Sequence, residues 1–140
     1  MTLVLDASVI LKWLIEDPSC EPDTDKAIAL IESIVNHEQE IIQPVHWLAE
    51  VAAVLARLSP QTASDDIGML CAMQIPTSDD PTVIQRATTL AIASSQHVFD
   101  TLYHAVALEH EDATLVTADQ RYLRSALPKE RIISLHDWQP

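Results

Sequence analysis

Leu3-Val4-Leu5-Asp6-Ala7-Ser8-Val9-Ile10-Leu11-Lys12-Trp13 runs a short apolar segment into a carboxylate and then directly into helical spacing. Three consecutive apolar residues suit a strand covered on both faces. Val9, Ile10, Trp13 and Leu14 then recur at the period of a helix, until Asp17-Pro18 breaks it. Another strand and carboxylate lie late in the chain. Thr114-Leu115-Val116-Thr117 reads as a strand, Asp119 follows it, and Gln120 to Ala126 reads as a short helix.

Between these two units the pattern keeps alternating. Ala27, Ile28, Leu30, Ile31, Ile34 and Val35 predict an amphipathic helix capped near Asp23 or Thr24. Ile41-Ile42 predicts a strand ended by Pro44, and Leu48, Val51, Ala52, Leu55 and Leu58 a helix closing before Pro60. A weaker helix from Thr62 to Met73 contains Gly68, and Ile75 starts a strand. Asp80-Pro81 caps a helix through Ser94, another runs from Asp100 to His110, and Ile132-Ile133-Ser134-Leu135 is a last strand. Strands alternating with helices predict an α/β fold with a mainly parallel sheet, in one domain spanning residues 1–140.

Composition excludes several chemistries. One glycine among 140 residues leaves no phosphate-cradling glycine loop. Cys20 and Cys71 have neither metal-binding spacing nor a disulfide framework, and the six histidines share no zinc spacing. No apolar run approaches a membrane span and no signal-type core opens the chain, so the expectation is a soluble cytoplasmic protein. Formal net charge is −13, from 8 basic and 21 acidic residues, with five acids between Glu16 and Asp25. Such a chain repels nucleic acid as a whole, so a polyanionic substrate needs a local bridge.

Asp6 and Asp119 each follow a strand, and parallel sheets bind ligands beyond the carboxyl ends of their strands. Glu50 lies off the apolar stripe of its helix, beside His46, and Asp100 opens another helix with His104 one turn on. Singly, Asp100 and Asp119 read as helix caps and Glu50 as a solvated residue. Together, four carboxylates at one rim repel one another unless a hard cation such as Mg²⁺ or Mn²⁺ lies between them. That ion is also the bridge a phosphodiester requires.

These segments resemble the PIN-domain ribonucleases, and in particular VapC-type toxins of toxin–antitoxin modules. The first carries the family's strand, Asp, small residue and hydroxyl residue. Trp47-Leu48-Ala49-Glu50-Val51-Ala52-Ala53-Val54-Leu55 is similar to the helical glutamate segment. Phe99-Asp100-Thr101-Leu102-Tyr103-His104-Ala105-Val106-Ala107 resembles the third acidic motif, and Leu115-Val116-Thr117-Ala118-Asp119-Gln120-Arg121-Tyr122-Leu123 the fourth.

The resemblance implies a three-layer sandwich with a central five-stranded parallel sheet, and a Mg²⁺- or Mn²⁺-dependent endoribonuclease, often acting on tRNA. It also implies a homodimer and a cognate antitoxin. Asp6, Glu50, Asp100 and Asp119 become the catalytic and metal-binding acids, with Ser8 and Thr117 as supporting hydroxyls. Tyr122-Leu123 stands where some relatives carry a further acid, so one firmly held ion is expected. Lys12, Arg57, His104 and Arg121 are the candidate RNA contacts; solvated surface, ion pairing or, for His104, a structural hydrogen bond is the competing expectation. Trp13, Trp47 and Trp138 are expected to anchor a core or an interface rather than bases. A non-catalytic PIN-like binding module is the alternative. Aspartate-based phosphatases and receivers fit less well, since Ser8 stands where a phosphatase needs an acid and Lys129 precedes the last strand.

Overall fold

A computed structural model describes residues 1–15 and 22–140. The Asp17-Pro18 break, Cys20 and most of the acidic run from Glu16 lie outside the described residues. The elements are β1 (Thr2–Leu5), α1 (Ala7–Leu14), α2 (Thr24–Val35), β2 (Glu40–Ile41), β3 (Gln43–Pro44), α3 (Trp47–Leu58) and α4 (Ala63–Ala72). They continue as β4 (Thr77–Ser78), α5 (Pro81–Ser94), α6 (Val98–Glu109), β5 (Ala113–Thr117), α7 (Gln120–Ser125) and β6 (Ile132–Ser134).

Every strand pair is parallel. β1 is central, beside β2 on one side and β5 on the other, in the order β2-β1-β5-β6. Leu3, Val4 and Leu5 point to alternating faces, yet all are buried, so both faces of β1 are covered. The cover comes from two helix groups. α1 packs with α2 and α3, α6 packs with α5, and both α1 and α6 lie against β1 and β5. α6 is buried at every position from Thr101 to Ala107, as a helix enclosed on all sides must be. Trp47 and Trp138 belong to the core, with Trp13 packed against it.

The expected five-stranded sheet is corrected: the central sheet has four strands, and β3 and β4 form a separate two-stranded parallel sheet. Ile42 separates β2 from β3, so a single segment serves both sheets. Pro44 is therefore the last residue of β3 rather than the stop of a strand through Ile42, and the strand expected at Ile75 starts at Thr77. Gln43 joins the two sheets. Fully buried, it donates through Nε2 to the Leu5 carbonyl (2.8 Å) and accepts from the Leu5 amide through Oε1 (2.7 Å), as a neighbouring strand would.

Among the described residues, no helix is long and apolar enough to cross a membrane. Gly68 is a weak point in α4. A Cβ built there meets nothing within 4 Å, so Gly68→Ala is expected to stabilise the protein by roughly 0.5–1 kcal/mol, read as a higher urea midpoint.

Candidate active site

β1 and β5 are neighbours in register, with Leu5 opposite Val116, and the Asp6 amide donates to the Val116 carbonyl at 3.0 Å. Asp6 and Asp119 therefore leave the sheet at the same carboxyl rim. Each caps the helix that follows: Asp6 accepts from the Ser8 amide (3.1 Å) and Asp119 from the Tyr122 amide (3.1 Å). Two hydroxyls fix the loops. Ser8 Oγ donates to Asp6 and accepts from the Ala118 amide (3.1 Å), while Thr117 Oγ1 accepts from the Asp119 amide (3.0 Å). One hydroxyl thus ties the first acidic segment to the last.

Glu50 comes from α3 and Asp100 from α6. Glu50 is one-quarter exposed, and its Oε1 accepts from the buried Tyr103 hydroxyl at 3.0 Å. Asp100 was expected to open its helix; instead His97 caps α6, its Nδ1 accepting from the Phe99 amide at 3.0 Å. Asp100 sits three residues on, in the first turn, where a carboxylate still gains from the helix dipole.

Electrostatics brings the four acids together. Burial pushes the Asp6 carboxyl up from 3.8 to about 6, Ser8 opposes that rise, and Asp100 and Asp119 add to it. Burial likewise raises Glu50 to about 7, against its Tyr103 hydrogen bond and with help from Asp6 and Asp100. Asp100 is raised by burial and by Asp119, with His97 and Arg121 pulling the other way. Asp6, Glu50 and Asp100 therefore each feel at least one other acid of the rim. This is the mutual repulsion of carboxylates sharing one rim.

A divalent metal is a matter of donor chemistry here. The set is all oxygen and anionic, as Mg²⁺ or Mn²⁺ demands, and the raised proton affinities of Asp6, Glu50 and Asp100 show negative charge in want of a counterion. Among the described residues, no three His, Cys, Asp or Glu side chains are already gathered to hold an ion. Asp6, Glu50 and Asp119 accept from Ser8, Tyr103 and the Tyr122 amide through one carboxylate oxygen each, and a carboxylate has lone pairs on both oxygens to offer a cation. The residues fit such an ion.

The basic candidates divide. Arg121 is exposed and near enough to Asp100 to favour its ionised form. Lys12 lines a recess of about 350 Å³ beside the acids, together with Ser8, Leu11, Ile15, Val54 and Ala118. Arg57 is exposed near the end of α3. His104 corrects the expectation of an RNA contact. It is completely buried, donating through Nε2 to the Glu130 carbonyl (2.7 Å) and accepting at Nδ1 from the Tyr122 hydroxyl (3.1 Å). Burial holds its pKa below the ordinary value, which fits this neutral form. His104 and Tyr122 instead join α6, the helix of Asp100, to α7, the helix that Asp119 caps.

Two residues of the site were not singled out from the sequence. Tyr103 holds Glu50, and its only sequence cue is its place one turn after Asp100. His46 donates through Nε2 to the Phe99 carbonyl (2.7 Å) and lies 3.6 Å from Glu50, joining the starts of α3 and α6. Burial lowers its pKa, so the His46–Glu50 approach pairs a neutral ring with the acid. Its position four residues before Glu50 puts it on the same helical side, which sequence shows without revealing the bond.

Against curated proteins no sequence match is found. Among solved structures, VapBC2 from Rickettsia felis bound to a DNA fragment from their promoter contains a similar chain, with a TM-score of 0.69 at 16% identity. The likeness covers 96% of this chain and 98% of that one, and at this identity it concerns the fold. The PIN domain family model matches residues 3–126, a span that holds β1 through α7 and all four carboxylates of the rim. The match covers the parallel sheet with Asp6 and Asp119 at one edge and the helices that carry Glu50 and Asp100, and the chain belongs to the PIN domain family.

Proposed function

We propose that this chain is a divalent-metal-dependent endoribonuclease and the toxin of a type II toxin–antitoxin module. One observation carries the reading: at a single sheet rim, burial and neighbouring carboxylates raise the proton affinity of Asp6, Glu50 and Asp100, with Asp119 among those neighbours. The PIN family match supports nuclease chemistry, and the fold shared with a VapBC2 chain supports a cognate antitoxin as partner.

Asp6, Glu50, Asp100 and Asp119 would hold Mg²⁺ or Mn²⁺, which when bound offsets phosphate charge and makes water a better nucleophile. The chain's own groups do the positioning. Ser8 keeps Asp6 and the Ala118 loop in one arrangement, and Thr117 orients the peptide of Asp119. Without metal the Glu50 carboxyl is raised to about 7 by burial, so binding a cation there at neutral pH displaces a proton from it. Hydrolysis by in-line attack leaves a 5′-phosphate and a 3′-hydroxyl, with no covalent intermediate on the protein.

The test is cleavage of an RNA pool by the purified protein with Mg²⁺ or Mn²⁺. EDTA is expected to stop it and added metal to restore it. Cleavage indifferent to EDTA would overturn the metal dependence, and no cleavage of any RNA with either metal would overturn the reading in favour of a binding module.

Tyr103→Phe gives a finer check. Losing the hydroxyl removes the bond that opposes the rise of Glu50, so its carboxyl moves above 7. The expected result is a pH–rate profile displaced to higher pH, with metal affinity at pH 7 lower by about 10-fold. An unmoved profile would show that Tyr103 does not control Glu50.

A further inference from the structure

Phe99 is the chain's only phenylalanine, and it stands one residue before Asp100 with 53% of its surface exposed. Apolar burial would place such a ring inside; here its backbone is fixed while its side chain is presented outward. Its amide is capped by His97 Nδ1 at 3.0 Å and its carbonyl is held by His46 Nε2 at 2.7 Å. The two imidazoles also flank the ring, with centroids 4.8 Å and 5.3 Å away. An exposed aromatic group held this firmly, next to an acid of the rim, has the properties of a stacking surface.

Charge explains why such a surface is needed. The chain has 8 basic residues, and Lys26, Arg86, Lys129 and Arg131 bind carbonyls or a carboxylate of the protein itself. With a formal charge of −13, phosphate contacts cannot supply much of the affinity for RNA. Base stacking is indifferent to that repulsion and tolerant of sequence. Resting on the ribonuclease reading above, we propose that Phe99 is the platform on which one RNA base stacks, setting which linkage lies against the acids. Phe99 is thus a positioning and specificity-determining residue.

The test uses the full chain, Mg²⁺ and a short single-stranded RNA cleaved at one site. Phe99→Leu keeps the bulk and the helix but removes the aromatic face. It is expected to raise KM by about 5- to 100-fold with kcat nearly unchanged. Phe99→Trp restores KM. One abasic nucleotide beside the cleaved linkage raises the wild-type KM by a similar factor and has no further effect on Phe99→Leu.

Cleavage by wild type with KM unaltered in Phe99→Leu overturns this inference and leaves the ribonuclease reading standing. If that variant also sediments as a smaller species, the ring instead faces a second copy of the chain. No cleavage of any RNA by wild type removes the ribonuclease reading and this inference with it.

Discussion

Asp6→Asn is expected to lower RNA cleavage by about a hundred- to a thousandfold while making the metal-free protein more stable. The opposite signs come from one cause. Asparagine keeps the cap, since its side-chain oxygen can still accept from the Ser8 amide and hydroxyl. It removes a carboxylate whose burial and neighbours raise its pKa from 3.8 to about 6. An acid with a raised pKa in the folded state binds protons more tightly there than when unfolded, so its ionisation destabilises the fold.

That cost is absent below pH 4, grows between about 4 and 6, and is complete above 6. At pH 7.5 it amounts to about 3 kcal/mol, and removing it would raise the thermal midpoint by several degrees. Melting curves from pH 4 to 8 are therefore expected to coincide for the two proteins at the acid end and diverge as pH rises. Mg²⁺ should stabilise the wild type and have little effect on the variant. If Asp6→Asn melts below wild type at pH 7.5, burial is not what strains this site.

Gln43→Leu is expected to be strongly destabilising, despite replacing a polar residue in the core by an apolar one of similar size. The amide of Gln43 is the partner of both the amide and the carbonyl of Leu5. Leucine would leave two buried backbone groups unsatisfied, at about 1–3 kcal/mol each, a large share of the 5–15 kcal/mol that holds a typical domain together. Leu5 immediately precedes Asp6, so the same change loosens the rim. Urea unfolding should show a loss of about 2–6 kcal/mol, with cleavage impaired even where the protein remains folded. A loss below about 1 kcal/mol would mean that water reaches Leu5 and replaces the side chain.

The sequence was legible where one element could be read by itself. Apolar β1 and β5, each followed by an aspartate at a helix start, placed Asp6 and Asp119 at one edge before any coordinates. The side of α3 shared by Glu50 and His46 was also visible as a helical offset. What escaped reading depends on contacts between distant segments. Gln43 looks like a loop residue until Leu5 is opposite it, and only then does its amide stand in for a strand. The two-residue β3 and β4 carry too little apolar pattern to announce themselves, so the separate small sheet was missed. His104 shares a helical side with Asp100 on paper, but Glu130 and Tyr122 meet it in the interior. Acids favour helix caps, which predicts Asp100 at the start of α6; His97 fills that position with a ring nitrogen instead.

Ser8 has a mechanical consequence. Because a single oxygen donates to Asp6 and accepts from Ala118, a displacement of the turn after β5 also displaces a hydrogen-bond partner of Asp6. A partner that moved α7 from outside would thereby shift Asp6 through Ser8 as well as through the Asp6–Val116 backbone bond, without touching the substrate.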